Sequence, residues 1–494
     1  MYKIGFNNKL YIEKQKKHIL ERIEQFEGKL YLEFGGKLFD DYHAQRVLAG
    51  FEPDAKIKLL SEFQDKVEII FCISASSIEK TKIRADLGIS YEMELLRKID
   101  EVSSLGIKVN SVVITQYTGQ NAADIFISKL NMRGIKNYIH VPIKGYPTDI
   151  DYILSEKGYG SNPYIETTKP LVVVTAPGPG AGKLATCLSQ VYHEHQRGKM
   201  AGYAKYETFP IWNIPLKHPV NLAYEAATAD LQDVNMIDPY HLEAYGETTV
   251  NYNRDVEAFP IVQTILNKIN NGENIYKSPT DMGVNMAGYG ICDDEICKEA
   301  SIQEIIRRYY KTSCDYKLGI ENKCSVSKIQ MIMQQLNITT NIRKSVAFAL
   351  AKSEKCQLPA VAIELLDGRL ISGKATPIMS ACSAAILNAI KVLADIKKET
   401  TLISPVVLEP ILKLKVEFLG SRASALKADD VLLALSISST DNPVAKLALE
   451  QLKNLRHCEL HSTQILRSGD SSTLQKLGIN FTCEPIFPGK DLFF

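Results

Sequence analysis

Short, continuously apolar segments alternate with amphipathic ones over the first two hundred residues of the chain. The apolar segments predict strands at 29–34, 67–75, 108–117, 137–143 and 170–176. The amphipathic segments predict helices at 12–27, 91–106 and 122–134. Strands that alternate with helices indicate a parallel, doubly wound sheet. The predicted fold class is therefore α/β, with mostly parallel Rossmann-like or P-loop-like sheets.

The same pattern divides the 494 residues into three modules. We predict a Rossmann-like α/β domain at 1–165, a P-loop-like glycine-loop domain at 166–335, and a C-terminal α/β or α+β domain at 336–494. The boundary at 165 is weak, because a predicted strand follows it at once. The first two modules are therefore compatible with one continuous sheet.

Two segments of the C-terminal module carry recognisable patterns. PAVAIELLDGRLISG indicates a hairpin that turns at Asp367-Gly368. VLLALSISS, at 431–439, is a continuous apolar run and predicts a strand. Both patterns support a third module that contains a sheet of its own.

Composition narrows the classes of function. The chain has 58 basic and 57 acidic side chains and a formal charge of +1, which argues against a nucleic-acid binder with a broad basic face. No apolar run approaches the length of a membrane span, and the N-terminus lacks the apolar core of a signal peptide. Ten scattered cysteines, several inside apolar runs, favour reduced thiols in a cytoplasmic protein. We expect a cytoplasmic enzyme that binds neither nucleic acid nor membrane.

One predicted strand leads directly into a glycine-rich loop, in the segment PLVVVTAPGPGAGKLATCLSQVYHE. Glycines let backbone N–H groups approach an anion, the helix dipole favours negative charge, and a lysine neutralises it. Strand, glycine loop, lysine and helix are thus the parts of a phosphate cradle. The residues predicted to bind a phosphate or nucleotide are Gly178, Gly180, Gly182, Lys183 and Thr186.

The loop departs from the usual P-loop pattern of glycine, four residues, glycine, lysine and a hydroxyl residue. Pro177 occupies the first glycine position and Leu184 the hydroxyl position, so the usual Mg²⁺ ligand is missing, although Thr186 follows two residues later. Two interpretations stay open. One is a cradle for ATP or another nucleotide with Mg²⁺, and the other is a tight turn whose glycines serve packing alone.

The strand predicted after this helix places Lys205 and Glu207 at its carboxyl end, where open α/β sheets bind ligands. Over this short segment the arrangement resembles amide-ligase-type P-loop enzymes such as CTP synthetase and dethiobiotin synthetase, in which a cation after the second strand meets the phosphates. Lys205 is therefore a candidate catalytic residue and Glu207 a candidate substrate-binding residue. The alternative for Lys205 is a solvated lysine at a strand end.

Charged residues also follow two earlier strands. FGGKLFDDYHAQRVLAGF places a lysine, carboxylates, an imidazole and a guanidinium behind a Gly-Gly turn, a combination suited to anion binding or acid–base chemistry. KTKIRADLGISYE follows the VEIIFCISA strand in the same way. The alternative for both segments is a capped helix with surface charges. The candidates are His43 as a catalytic residue and Lys37, Asp40, Arg46 and Arg84 as substrate-binding residues.

A further cluster lies in DVNMIDPYHLEAYGETTVNYNRDVEAFP, within a region at 205–260 that is predicted to be irregular and to form a binding surface. An apolar run followed by aspartate is typical of a strand end that holds Mg²⁺ near phosphates. The alternative is a simple turn at Asp238-Pro239. The candidates are Asp238 and His241 as catalytic residues, Asp230 and Asp238 as metal ligands, and Arg254 as a substrate-binding residue.

Zinc is not expected. The segment RHCELHST offers imidazole and thiol groups at 457–461, with Cys483 later in the chain. However, no CxxC pair occurs, and only alternate residues share one face of a strand.

Several segments together resemble a known family: FGGKLFDDYHAQRVLAGF, VVVTAPGPGAGKLATCLSQVYHE, NMIDPYHLEAYG with VNYNRDVEAFP, and LGINFTCEP. They are similar over the whole chain to the bacterial uncharacterised protein family UPF0371 (DUF1846). The resemblance implies a soluble bacterial α/β protein that forms a homo-oligomer, and it brings no established reaction. The glycine loop belongs to the family pattern, so its departures indicate a different use of the cradle.

Three functions follow from these residues. The leading hypothesis is an enzyme that binds a nucleotide or a phosphorylated, anionic small molecule and performs phosphoryl transfer or ATP-dependent ligation. The second is a Rossmann-type redox, lyase or isomerase enzyme acting on a phosphorylated metabolite, although no GxGxxG follows the first strand. The third is a non-catalytic, anion-sensing oligomer.

Overall fold

The structure is a computed structural model that describes residues 3–84, 88–273, 275–421 and 425–489. The chain folds into two compact units. The larger unit comprises Ile4–Glu225 and Asp233–Ser301, and the smaller unit comprises Met1–Lys3, Ala226–Gln232 and Ile302–Phe494.

Strands and helices alternate as predicted. In the described part of the chain the strands are β1 (Leu30–Phe34), β2 (Val67–Ser74), β3 (Ile83–Arg84), β4 (Ile89–Ser90), β5 (Lys108–Thr115), β6 (Asn137–Ile139), β7 (Leu171–Thr175), β8 (Gly202–Tyr206), β9 (Asn235–Ile237), β10 (Val250–Tyr252), β11 (Ala360–Glu364), β12 (Leu370–Lys374), β13 (Glu459–Ser462) and β14 (Asn480–Cys483).

The helices of the same residues are α1 (Asn8–Gln25), α2 (Tyr42–Val47), α3 (Ala55–Ser61), α4 (Ala75–Glu79), α5 (Tyr91–Ser104), α6 (Asn121–Met132), α7 (Ile150–Ile153), α8 (Lys183–Gln196), α9 (Pro219–Ala227), α10 (Pro239–Tyr245), α11 (Asn253–Ile269), α12 (Pro279–Met282), α13 (Asp294–Lys317), α14 (Lys323–Gln335), α15 (Lys344–Cys356), α16 (Ala381–Leu393), α17 (Pro405–Lys413), α18 (Ala428–Ser438), α19 (Pro443–Glu450) and α20 (Ser468–Leu477). Among them, each helix is too short or too polar to span a bilayer.

The larger unit is built on a parallel sheet with strand order β6-β5-β2-β7-β1-β8. Its central strands β2, β7 and β1 are buried along their whole length, as their predominantly apolar sequences predict. Strands from both sides of residue 165 pair in this sheet, since β7 lies between β1 and β2. The modules predicted at 1–165 and 166–335 therefore share one sheet.

The smaller unit contains a mixed sheet with order β12-β11-β13-β14. β11 and β12 form the antiparallel hairpin predicted at Asp367-Gly368, while β13 and β14 are parallel. Helix α16 packs closely on this hairpin, because a Cβ atom at Gly373 would lie 2.2 Å from the backbone nitrogen of Ala385. The fold class is thus α/β with a second, separate sheet.

The segment 431–439 is helical, so the predicted strand is wrong. It belongs to α18, whose first turn carries Asp430, and the Asp430 carboxylate accepts a hydrogen bond from the backbone N–H of Lys427 at 2.9 Å. Val431, Ala434 and Leu435 are buried at helical spacing. A short apolar run fits a strand and a buried helix equally well, and the acidic first turn was the missed signal.

The region 205–260 is more regular than predicted. It contains α9, the antiparallel hairpin β9–β10, α10 and the start of α11. Pro219 and Pro239 are the first residues of α9 and α10. Proline is favoured at that position because its nitrogen has no N–H to leave unpaired. These two prolines thus mark helix starts, whereas Pro260 lies inside α11.

Candidate functional site

The glycine loop lies at the carboxyl end of β7. Strands β2 and β7 are neighbours, but the chain runs from β2 toward one edge of the sheet, to β5, and from β7 toward the opposite edge, to β8. Neighbouring strands whose connections part in this way leave a crevice at their carboxyl ends, where open α/β sheets bind ligands. The loop therefore occupies the position that the topology makes available to a ligand.

The loop adopts backbone conformations that favour glycine. Gly180 and Gly182 have φ values of 71° and 79°. Gly182 directly precedes Lys183, the first residue of α8, and has no side chain that could cap the first N–H groups of the helix. The backbone N–H groups of the first helical turn and the positive end of the helix dipole favour an anion at this position.

The loop is held from two sides. A Cβ atom at Gly178 would lie 2.4 Å from the ring of Tyr91, and one at Gly182 would lie 3.0 Å from Thr115. The Thr115 hydroxyl donates a hydrogen bond to the carbonyl oxygen of Ala181 at 2.9 Å. Packing alone thus explains part of the glycine content, while the tip at Gly180 is exposed.

Lys183 points toward the end of β1. Its ammonium lies 3.8 Å from the Glu33 carboxylate, and its side chain is 16% exposed. Glu33 also accepts a hydrogen bond of 2.8 Å from the Tyr203 hydroxyl on β8. The 3.8 Å separation is longer than a hydrogen bond, so the ammonium retains donors for an incoming anion.

Lys205 on β8 lies beside Glu33 in the sheet register. Its ammonium donates to both carboxylate oxygens of Asp255, at 2.5 and 2.6 Å, and lies 3.2 Å from Glu207. Burial opposes the charge on Lys205, but Asp255 and Glu207 hold its pKa above the ordinary value. Lys205 therefore stays an ammonium and is clamped between carboxylates.

Glu207 follows β8 and is 20% exposed at its side chain. Its backbone N–H donates to the side-chain oxygen of Asn285 at 2.7 Å, and its side chain packs against Gly35. Burial raises the pKa of the Glu207 carboxyl to about 7, although Lys205 opposes that rise. A carboxyl that titrates near neutral pH is suited to proton transfer.

Thr186 is fully buried on the inner face of α8. Its hydroxyl donates to the carbonyl oxygen of Gly182 at 3.0 Å, and the Cys72 thiol lies 3.5 Å away. This hydroxyl does not fit the role of the missing P-loop Mg²⁺ ligand. Among the described residues, moreover, no group of three or more His, Cys, Asp or Glu side chains is arranged to hold a metal ion.

The residues after the Gly-Gly turn contact different parts of the larger unit. Asp40 pairs with Arg97 on α5 at 3.0 Å. His43 packs its ring against Phe209 and Tyr224, at centroid distances of 5.5 and 5.7 Å. Lys37 is half-buried beyond the turn, and Arg46 lies in the last turn of α2.

Sequence reasoning missed a buried ion pair next to this turn. Lys56 on α3 lies 2.8 Å from Asp41, and its side chain is 2% exposed. Burial opposes the charge on Asp41, but Lys56 keeps the pKa of that carboxyl below its ordinary value. Nothing in the sequence around Lys56 distinguishes it from a surface lysine, because its partner comes from another segment.

Arg84 and Arg254 are both engaged with carboxylates. Arg84 is buried and pairs with Glu94 on α5. Arg254 contacts Asp233 at 2.6 Å and is 57% exposed. The first contact ties β3 to α5, and the second ties α11 to the residues before β9.

Asp238 caps α10. One carboxylate oxygen accepts from the backbone N–H groups of Tyr240 and His241 at 3.1 Å, and the other accepts from the N–H and hydroxyl of Thr280 at 3.1 and 2.6 Å. His241 forms a 2.8 Å contact with the Ser278 hydroxyl. Asp230 is exposed and belongs to the smaller unit, whereas Asp238 belongs to the larger one.

The cysteine- and histidine-containing segment lies on β13 of the smaller unit. His461 contacts the Thr482 hydroxyl at 2.8 Å and Glu484 at 3.3 Å. Burial lowers the pKa of His461. These partners account for His461 as part of a buried polar network.

The fold and this site define an α/β protein with a glycine loop and a helix start at the carboxyl edge of a parallel sheet. The chain belongs to the UPF0371 family. The family model described as "Domain of unknown function DUF1846, N-terminal" matches residues 4–337, and the corresponding C-terminal model matches residues 341–493. The two family models meet between residues 337 and 341.

Clostridial proteins are similar to this chain along its full length. The UPF0371 protein of Clostridium botulinum (strain Eklund 17B / Type B) is 55% identical, covering 100% of this chain and 99% of that protein. The UPF0371 protein of Clostridium tetani gives the same values. That of Clostridioides difficile (strain 630) is 54% identical over 100% of both chains.

Proposed function

We propose that this protein is an enzyme that binds the phosphate group of a small molecule at the glycine loop. The observation that carries the proposal is the junction of β7, the loop and α8, with Gly182 in a left-handed conformation and Lys183 at the start of the helix. Backbone N–H groups, the helix dipole and one ammonium there favour the same negative charge.

For the reaction we propose acid–base chemistry of the lyase or isomerase kind on a phosphorylated metabolite. Glu207 supports this choice because its pKa of about 7 lets it give and take a proton at neutral pH. Lys205 is held as an ammonium, so it supplies positive charge and not a nucleophilic amine.

Phosphoryl transfer or ATP-dependent ligation is the second candidate. The position of Lys183 directly after a glycine loop favours it, since that is where P-loop enzymes place the phosphate-binding lysine. The inward orientation of Thr186 weighs against it, because the hydroxyl is already bonded to Gly182.

Ligand-dependent thermal unfolding tests the phosphate site. Inorganic phosphate, sugar phosphates, ATP and nicotinamide dinucleotides are each added at millimolar concentration to the wild-type protein, to Lys183→Ala and to Lys199→Ala. A ligand present at tenfold its Kd stabilises the folded state by about 1.4 kcal/mol. We expect stabilisation of the wild type and of the exposed-lysine control Lys199→Ala, and its loss in Lys183→Ala.

The pattern of ligands separates the candidates. Stabilisation by sugar phosphates but not ATP favours lyase or isomerase chemistry, and stabilisation by ATP with measurable turnover favours phosphoryl transfer. If no phosphate compound stabilises the wild type, the proposed function fails.

Assembly into a homo-oligomer is also a proposal. The segment 405–419, which forms α17 and the π-helix Leu414–Phe418 after it, exposes apolar side chains: Val406 is 79% exposed, Phe418 73% and Leu419 71%. Contiguous exposed apolar surface is typical of protein–protein contacts. Sedimentation velocity of the wild type and of Phe418→Asp tests this assembly, with Met132→Asp, at an 87% exposed position, as the control.

A further inference from the structure

Carboxylates outnumber cations around the site, since Arg254, a third cation that faces Glu207, is itself paired with Asp233 at 2.6 Å. The side chains form two neighbouring groups: Lys183 lies 3.8 Å from Glu33, and Lys205 lies 2.5 Å from Asp255 and 3.2 Å from Glu207. The two groups are adjacent because Glu33 on β1 and Lys205 on β8 are partners in the sheet register. All five side chains are 21% exposed or less. An uncompensated charge is energetically unfavourable in a largely buried cluster, so protonation of one carboxylate is favoured.

Glu207 is the least compensated of the three. Asp255 places both of its oxygens on Lys205. Glu33 receives the Tyr203 hydroxyl as well as the neighbouring Lys183 ammonium. The carboxylate of Glu207 has a 3.2 Å contact with an ammonium that already serves Asp255.

We propose that Glu207 couples anion binding to proton binding: it takes up a proton from water when an anion binds beside Lys183, and releases that proton when the anion leaves. The inference rests on the proposed function and deepens it, because it names how the same site is regulated by pH. Lys205 and Asp255 act as positioning residues that hold Glu207 against the end of β1, the strand whose Glu33 faces Lys183.

The surroundings of Glu207 support this role. Its side chain is partly exposed, so that a proton can exchange with water. Burial raises its pKa to about 7, which makes both protonation states accessible at neutral pH. The titratable and charged groups that face it are Lys205 on β8, Glu33 on β1, Tyr224 on α9, Tyr252 on β10, and Arg254 and Asp255 on α11.

The coupling has a definite sign. An anion beside Lys183 adds negative charge near Glu33, which already raises the pKa of Glu207, so it raises the proton affinity of Glu207 further. By linkage, protonated Glu207 then binds the anion more tightly than ionised Glu207 does. Anion affinity therefore falls as pH rises through the range in which Glu207 loses its proton, by about tenfold for each unit by which the anion shifts that pKa.

Sulfate is the probe, because it keeps its charge throughout this range whereas phosphate titrates within it. The sulfate Kd is measured from thermal unfolding of the wild type, of Glu207→Gln, and of Glu243→Gln, an exposed control on α10. From about pH 6 to about pH 8 we expect a several-fold rise in Kd for the wild type and the control, and a nearly constant Kd for Glu207→Gln.

The two proposals fail in different ways. A wild-type protein that binds no sulfate or phosphate at any pH overturns the phosphate site and the coupling with it. Sulfate binding whose pH dependence is the same in Glu207→Gln as in the wild type overturns the coupling alone and leaves the phosphate site standing. An unfolding temperature of Glu207→Gln that matches the wild type at about pH 4 serves as the check that the variant folds, since Glu207 is mainly protonated there in both the folded and the unfolded state.

Discussion

The ammonium of Lys205 on β8 donates to both carboxylate oxygens of Asp255, in the first turn of α11, at 2.5 and 2.6 Å. This contact joins the edge strand of the sheet to a helix that follows fifty residues later in the sequence. It also affects the electrostatics of the candidate site, because the same ammonium lies 3.2 Å from the Glu207 carboxylate.

Asp255→Asn is expected to destabilise the folded protein by about 2 kcal/mol, because it removes one partner of a largely buried ion pair. It should also lower the pKa of Glu207, since Asp255 helps to raise it and Lys205 lowers it. Urea unfolding at neutral pH measures the first effect. Asp151→Asn is the matched control: its pair with Lys268 has an 89% exposed carboxylate, and the expected loss is below about 0.5 kcal/mol. An equal loss in both variants would contradict the prediction.

Glu207 is expected to make the ligand-free protein less stable as pH rises. Its pKa is raised in the folded state, so the folded state binds more protons than the unfolded state between about pH 4.5 and pH 7. The full contribution is present below the unfolded pKa and is lost as pH rises through the folded one, up to about 3 kcal/mol. The difference in unfolding free energy between wild type and Glu207→Gln, measured across this range, should follow that curve. A difference that is independent of pH would refute it.

Gly178→Ala and Gly180→Ala are expected to differ. A Cβ atom at 178 would lie 2.4 Å from the Tyr91 ring, so the loop or the ring must move, at about 1–3 kcal/mol. A Cβ atom at 180 meets nothing within 4 Å, and its cost is the left-handed conformation alone, about 1 kcal/mol. Thermal unfolding measures both, and phosphate affinity should fall more in Gly178→Ala. Recovery in the double variant Gly178→Ala, Tyr91→Ala would identify the clash as the cause.

Asp238→Ala is expected to cost about 3 kcal/mol of stability, because it leaves four donors of α10 and Thr280 without their acceptor. Asp230→Ala, at an exposed position, should change stability by less than about 0.5 kcal/mol. Nucleotide binding in the presence of Mg²⁺ distinguishes a structural role of these aspartates from a role as metal ligands. Loss of Mg²⁺-dependent nucleotide binding in both variants, at unchanged fold, would instead support the metal role predicted from the sequence.

Arg343 in the smaller unit is expected to be essential for stability. Its guanidinium is fully buried, pairs with Glu459, and donates to the Thr482 hydroxyl at 3.1 Å and the Leu460 carbonyl at 2.9 Å. Arg343→Met leaves Glu459 and these acceptors less satisfied, at a cost of about 3–5 kcal/mol. Arg369→Met, where the pair with Asp367 is half exposed, should cost little. Guanidinium unfolding of the two variants gives the comparison, and similar midpoints would speak against it.

The α/β class and the strand–loop–helix junction were predictable because both depend on local sequence. The apolar runs of β2 and β7 are buried along their whole length, and the amphipathic segments that separate them indicate alternation of strands and helices. Gly182 and Lys183 are neighbours in sequence, so their relation at the start of α8 needed no tertiary information.

The partners of the charged residues were not predictable, since they come from distant segments. Lys205 meets Asp255, Lys56 meets Asp41, and Asp40 meets Arg97. A single sequence gives the composition of a charged loop but not which opposite charge the fold brings to it. The error at 431–439 has another cause: α18 buries one stripe and exposes Leu433 and Ile437, so its apolar residues exceed what its packing needs.

The insertion of β7 between β1 and β2 has a consequence for how the protein is made. A ribosome that has released the first 165 residues has delivered β1, β2, β5 and β6, yet β1 has neither of its neighbours, because both β7 and β8 are still unsynthesised. Long-range pairing of this kind slows folding and exposes strand edges in the nascent chain. The sheet of the larger unit therefore cannot be completed until β7 and β8 have been synthesised. The segment that carries the glycine loop also supplies the strands that complete the core.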